Sequence, residues 1–99
     1  MKNLYVAGRV TGLSRQEAQH NFARGISLLP VNTYSIFNPL VICPADLTKK
    51  EAMTLLLPVL LKCDSILILT NHKFSEGTQI ELQLARYCGL QILYESNLT

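Results

Sequence analysis

A single carboxylate, Glu81, occupies the position in this chain best suited to chemistry. It lies in Ser75-Glu76-Gly77-Thr78-Gln79-Ile80-Glu81-Leu82, which follows an apolar run, Asp64-Ser65-Ile66-Leu67-Ile68-Leu69-Thr70. That run reads as a buried strand. Gly77 and Thr78 then lead into a helix whose apolar residues Ile80, Leu84 and Cys88 recur at i, i+4 and i+8. In an open parallel sheet the loop leaving a strand's carboxyl end faces the ligand crevice, and free N–H groups at the start of the next helix favour anions there. Glu81 is therefore expected in the first helical turn, at the rim of a pocket. A carboxylate held ionised by the helix dipole can serve as a nucleophile. The same residues also spell a capping box, Thr78-Gln79-Ile80-Glu81, in which Glu81 only satisfies a free N–H. Spacing alone leaves both readings open.

The elements around this stretch alternate between strands and helices. Asn3–Ala7 reads as a first strand, ending in the loop Gly8-Arg9-Val10-Thr11-Gly12. Ser14-Arg15-Gln16-Glu17 is a capping box, and Ala18, Phe22, Ile26 and Leu29 form the stripe of an amphipathic helix that Pro30 stops. His20 falls off that stripe and is expected in solvent. Tyr34–Phe37 is a short strand closed by the turn signal Asn38-Pro39, with a loop through Pro44 and Asp46. Thr48-Lys49-Lys50-Glu51 opens a helix over 49–62 that is apolar nearly all round, and Pro58 should kink or split it. One face (Ala52, Leu55, Leu56, Val59) is expected on the sheet, the other (Met53, Leu57, Leu60, Leu61) exposed. Gly89 should end the third helix, and Gln91–Tyr94 is a last strand. Right-handed crossovers then predict an α/β fold, a three-layer α/β/α arrangement with a small parallel four-stranded sheet in the order 2-1-3-4, flavodoxin-like or Rossmann-like. The loops 8–13, 38–47 and 70–75 would meet at one end, bringing together Tyr5, Arg9, Thr11, Asn38, Ser75 and Glu81. Asp64 lies at the opposite end and reads as a turn residue.

Composition narrows the function classes. Ninety-nine residues make one domain, 1–99, able to build a core without staples. The charged share of 16% is low, which hints that part of the surface is covered by another copy. A net charge of +2, with no long basic cluster, implies neither a nucleic-acid nor a membrane partner. Cys43, Cys63 and Cys88 are odd in number and widely spaced, with no metal-ligand pattern, as expected for reduced thiols in a cytoplasmic core. No apolar run is long enough to span a bilayer. A dinucleotide fingerprint and a P-loop are absent, so no cofactor is expected. Ala7-Gly8-Arg9 stands where a phospho-acceptor domain needs acids. No Ser/His/Asp arrangement is evident, and His72 reads as polar loop surface. One carboxylate, one Arg, several hydroxyls and a helix start suit a sugar or sugar phosphate. Cleavage of a glycosidic or N-glycosidic bond passes through an oxocarbenium-like state that a carboxylate stabilises or traps.

These residues carry a family resemblance. Leu4-Tyr5-Val6-Ala7-Gly8 with Thr11-Gly12, Phe37-Asn38-Pro39, Leu60-Leu61-Lys62-Cys63-Asp64, and Ser75-x-Gly77-Thr78-x-x-Glu81-Leu82 with Ala85 resemble the nucleoside 2-deoxyribosyltransferase superfamily. The likeness is to its small phage and bacterial branch, and it spans nearly the whole chain. The resemblance implies that Glu81 is the nucleophile and that Ser75 contacts sugar or phosphate, with Gly77 and Thr78 in the same motif. Tyr5 and the Gly8–Gly12 loop, including Arg9, would line the base and 5′-end pocket, with Asn38 beside them. It implies action on nucleosides or deoxynucleoside monophosphates, as transferase or hydrolase, in homo-oligomers. Leu56 stands where the family usually has an Asp that assists proton transfer to the base; His72 replaces a Trp, and Arg9 a Pro.

Three functions are thus in play: an N-glycosidic-bond enzyme with Glu81 as nucleophile, a catalytically inactive nucleotide-binding or sensing domain, and a small oligomeric scaffold. Arg9 favours a phosphorylated substrate, because its planar fork matches phosphate. The apolar helix 49–62 is expected to join a homodimer or higher homo-oligomer.

Overall fold

The computed structural model describes residues 1–98. Its four strands are β1 (Lys2–Ala7), β2 (Tyr34–Phe37), β3 (Ser65–Ile68) and β4 (Gln91–Tyr94), and the helices are α1 (Arg15–Ser27), α2 (Pro39–Ile42), α3 (Lys49–Leu61) and α4 (Glu76–Cys88). The strands form one sheet in the order β2-β1-β3-β4, every neighbouring pair parallel. Register is set by the pleat. Tyr5 lies beside Phe37 and Ile66, and Ile66 beside Ile92, so one face gathers these four side chains. Leu4, Val6, Leu67 and Leu69 point to the other. The sheet is covered on both faces, which is why β1 and β3 are apolar without alternation.

Helix α1 covers one face through Ala18 and Phe22. Helices α3 and α4 cover the other through Leu56, Leu60, Leu82 and Ala85. Two of the three capping-box signatures form, Ser14 with Glu17 and Thr48 with Glu51. Asn38 does more than mark a turn: its Oδ1 accepts from Leu40 N–H at 3.0 Å and starts the short helix α2. Asp64 is structural, as expected. Its carboxylate accepts from Asn3 N–H at 2.9 Å and fastens the amino ends of β1 and β3 together.

Three helix expectations are corrected. Helix α3 runs unbroken through Pro58. Pro58 is exposed, so the carbonyl it leaves without an N–H can turn to water instead of being buried. The faces of α3 are also redrawn. Leu60 is fully buried and Leu55 is 46% exposed, because the helix turns Leu56 and Leu60, one turn apart, onto the sheet. In α4 the apolar series Ile80, Leu84, Cys88 is not the core face: Ile80 and Cys88 are exposed, and Leu84 alone packs, half-buried, against the edge of the core. The buried face is Thr78, Glu81, Leu82 and Ala85.

A distant ion pair closes the carboxyl end of the sheet. Glu95, just past β4, accepts from Thr70 N–H at 2.9 Å and from Arg24 Nε at 3.1 Å. Burial alone would raise its pKa, but the Thr70 and Arg24 hydrogen bonds outweigh that and hold it below the usual carboxylate range. Leu69 fits between two glycines nearby. A Cβ on Gly8 would lie 2.5 Å from Leu69 Cδ1, and one on Gly25 would press still closer on Leu69 Cδ2.

Candidate functional site

The site is built from β1 and α4. Tyr5 leaves β1 on the face covered by α3 and α4, and its hydroxyl donates to Glu81 Oε2. Tyr5 is fully buried and Glu81 is 6% exposed. Among the described residues this hydroxyl is the one hydrogen-bond partner of the Glu81 carboxyl, which leaves Oε1 without one. The dyad sits below the loops at the carboxyl ends of the strands, because Tyr5 is two residues from the end of β1 and Glu81 is near the start of α4.

Glu81 neither caps the helix nor lies in its first turn. Ser75, with extended backbone angles, is the N-cap, and its Oγ accepts from Thr78 N–H at 3.2 Å. The helix therefore starts three residues before Thr78 would have capped it, and Glu81 falls in the second turn. The dipole acts mainly within the first turn, so burial governs Glu81 instead. Burial pushes its pKa up to about 7, with the Tyr5 hydrogen bond pulling the other way. The expectation of a carboxylate held ionised by the helix dipole is replaced by one poised between its two forms at neutral pH. Burial, and after it the Glu81 charge, raises the Tyr5 pKa, so that hydroxyl stays a donor.

Thr78 lies one turn before Glu81 on the same buried face. Its Oγ1 is buried and has no hydrogen-bond partner among the described residues, a condition that costs free energy until a water or ligand oxygen supplies one. Ser75 spends its Oγ on the cap. Gly77 packs close to α3, where an added Cβ would lie 3.1 Å from Met53 Cε.

The first loop is arranged around its own arginine. Arg9 Nε donates to Thr11 O at 3.0 Å, and Arg9 N–H donates to Asn71 Oδ1 at 3.1 Å, tying the loop to the turn after β3. Gly12 has φ +86°, and a Cβ there would lie 2.7 Å from Arg9 Nη2. Its left-handed backbone favours glycine there, while the Arg9 guanidinium folded over it is a flexible end that could give way. Gly8 makes room for Leu69. Thr11 is exposed, and Asn38 Oδ1 is committed to α2. The structure therefore brings Tyr5 to Glu81, clusters Arg9, Thr11 and Gly12 on one loop, and uses Asn38 and Ser75 as helix caps.

Two neighbours are not legible from the sequence. Arg15 Nη2 donates to Leu40 O and, at 3.1 Å, to Cys43 O, holding the end of α2 against the start of α1. Cys43 is buried near the dyad; burial raises its thiol pKa, Arg15 lowers it and Glu81 raises it. Burial, with Asp64 adding to it, pushes the Cys63 thiol up to about 11. Cys43, Cys63 and Cys88 are free thiols, Cys88 exposed rather than in the core. His72 Nδ1 lies 2.9 Å from Leu69 O, and its ring is tilted against Tyr94. No group of three or more His, Cys, Asp or Glu among the described residues is placed to hold a metal ion. No helix among them is long and apolar enough to cross a membrane.

What this arrangement offers is a buried carboxyl near neutral pKa, held by a phenol at one oxygen, with an orphaned hydroxyl one turn away. No curated protein and no solved structure matches the chain. A family model does match, over residues 2–94, and on that match the chain belongs to the DUF4406 family, a domain of unknown function.

Proposed function

We propose that the protein acts on the N-glycosidic bond of a nucleoside or nucleotide, with Glu81 as nucleophile. The observation that carries this reading is the buried Glu81 carboxyl with the Tyr5 hydroxyl on Oε2 and Oε1 uncommitted. In its ionised form Oε1 attacks the anomeric carbon while the bond to the base breaks. The bonding pair leaves with the base nitrogen, which takes up a proton. A glycosyl ester on Glu81 results, and water or a second base then displaces the carboxylate. Tyr5 fixes the carboxyl rotamer and stabilises the anion, and Thr78 offers its free hydroxyl to a substrate oxygen. Arg9, partly exposed on the first loop, suits a 5′-phosphate. The sequence resemblance to the 2-deoxyribosyltransferase superfamily supports the same assignment, and free thiols suit a cytoplasmic place of work.

The test is release of free base from a panel of nucleosides and their 5′-monophosphates, read by chromatography. Base release by the wild type and its loss in Glu81→Gln support the reading; undiminished release in that variant overturns it. A second reading, a nucleotide-binding domain without turnover, is favoured by one observation. Leu56, where the superfamily that the sequence resembles usually carries a proton-transferring Asp, is 9% exposed and packs in the same apolar cluster as Tyr5. A nucleotide that raises the melting temperature yet loses no base would select it.

A further inference from the structure

Thr78 holds the one buried side-chain polar atom without a hydrogen-bond partner among the described residues. The residue is 1% exposed and is the third of α4. The other buried polar side chains are engaged: Ser65 with Gln91, Glu81 with Tyr5, and Glu95 with Thr70 and Arg24. A helical threonine ordinarily turns its hydroxyl back to the carbonyl one turn earlier, as Thr54 does in α3, donating to Lys50 O at 2.7 Å. Thr78 makes no such bond, although its N–H is used by the Ser75 cap. Leaving a buried hydroxyl unpaired costs free energy, so its retention here calls for a partner that a ligand supplies.

We propose that Thr78 reads the 2′-hydroxyl of the substrate's sugar, so that the site takes ribonucleosides and ribonucleotides in preference to their 2′-deoxy forms. With Glu81 as nucleophile, on which this rests, the stereochemistry of attack selects the oxygen. Thr78 and Glu81 are three residues apart on the buried face of α4, which sets their Cβ atoms about 5–6 Å from each other. In a β-nucleoside the base leaves from the upper face of the sugar ring. An in-line carboxylate reaches the anomeric carbon from the lower face, starting at about 3–3.5 Å. The 2′-hydroxyl of ribose projects from that same lower face, on the carbon next to the anomeric one. A hydroxyl one helical turn from the attacking oxygen is placed to meet it, and each can donate to or accept from the other. The other sugar oxygens fit less well. The ring oxygen gains positive charge as the base departs, so a donor there would oppose the reaction. The 3′-hydroxyl shares the lower face but sits one carbon farther from the point of attack. The 5′-phosphate hangs from the upper face, away from the attacking carboxylate, and Arg9 is its partner in the proposed site. The sequence resemblance, by contrast, implies deoxynucleoside monophosphates among the substrates.

The experiment compares matched ribonucleoside and 2′-deoxyribonucleoside monophosphates. Calorimetric binding is measured in the Glu81→Gln background, where no turnover intervenes, and base release is measured with Glu81 in place. The ribo form is expected to bind about tenfold to a hundredfold tighter, the range for one hydrogen bond whose loss leaves a buried group unpaired. Thr78→Val keeps the side-chain shape and removes the hydroxyl. It should weaken the ribo form by about that factor and leave the deoxy form nearly unchanged, while Thr78→Ser, which keeps a hydroxyl, should retain most of the preference. Without ligand, Thr78→Val should melt no lower than its parent, because the hydroxyl it removes has no partner. A clear drop in melting temperature would mean that the hydroxyl is already bonded in the free chain and would overturn the proposal. Equal binding of the two forms, or a ribo preference that survives Thr78→Val, would overturn it as well. A ribo preference lost in Thr78→Val, with no base released when Glu81 is in place, would uphold the sugar contact and reject the nucleophile. Binding of neither form would reject both.

Discussion

Replacing Glu81 with glutamine should change how stability depends on pH, and by an amount the structure sets. The Glu81 carboxyl ionises near 4.5 in an exposed setting and near 7 in the folded chain, where burial disfavours the charge. Between those values the folded chain keeps a proton that the unfolded chain has released. Stability contributed by this group is therefore fully present below about pH 4.5 and is lost as pH rises towards 7. At about 1.4 kcal/mol per unit, the span from 4.5 to about 7 amounts to about 3 kcal/mol. A domain of this size holds roughly 5–15 kcal/mol in all, so the change is large enough to measure. The amide in Glu81→Gln cannot ionise, keeps nearly the same volume, and still offers an oxygen to the Tyr5 hydroxyl. Urea unfolding of both proteins from pH 4.5 to 8 checks this. The variant should gain about 3 kcal/mol on the wild type as pH rises, while Glu95, whose depressed pKa acts in the opposite direction, cancels because both proteins share it. Parallel stability curves would refute the placement of a buried, neutral-range carboxyl at position 81.

Other expectations follow from the same contacts. Tyr5→Phe removes the one hydrogen bond that lowers the Glu81 pKa, so the acid limb of any base-release pH profile, expected near 7, should move to higher pH; an unmoved limb would dissociate Tyr5 from the carboxyl. Gly8→Ala drives a methyl group into Leu69 and should cost about 1–3 kcal/mol. In a Leu69→Ala background the same substitution should cost little, and additive costs in thermal unfolding would contradict that packing. Arg9→Ala should weaken nucleoside monophosphates by about 1.5–3 kcal/mol, the scale of a hydrogen bond to a charged group, and leave unphosphorylated nucleosides nearly unchanged. Calorimetric titration showing equal losses for both would remove the phosphate role.

The buried parallel sheet and the capping of α1 and α3 are legible because they leave local patterns. Continuous apolar runs in β1 and β3 mark a sheet buried on both faces, and Ser14-x-x-Glu17 and Thr48-x-x-Glu51 carry their capping chemistry within four residues. Helix α4 misleads for a physical reason that also marks the site. Two of its inward positions, Thr78 and Glu81, are polar, so the apolar period falls on Ile80, Leu84 and Cys88 instead of the core face. A helix that buries polar side chains and exposes apolar ones violates the usual pattern, and such violations concentrate at functional or interface surfaces. The start of α4 reads late because Thr78 imitates a capping residue while Ser75 holds the extended geometry that capping needs. The Arg24–Glu95 pair has no local signal, since its partners are 71 residues apart. The Tyr5–Glu81 bond is legible only as proximity, because pairing across a sheet and a helix depends on register.

The most direct test of Glu81 as nucleophile is intact-protein mass spectrometry on the nucleoside and monophosphate panel, quenched early, with base release measured in the same samples. The account predicts a population of protein heavier by one glycosyl group, mapped by peptide digestion to the segment containing Glu81 and absent from Glu81→Gln, together with stoichiometric free base. Free base accumulating over unmodified protein at an undiminished rate in Glu81→Gln would contradict it.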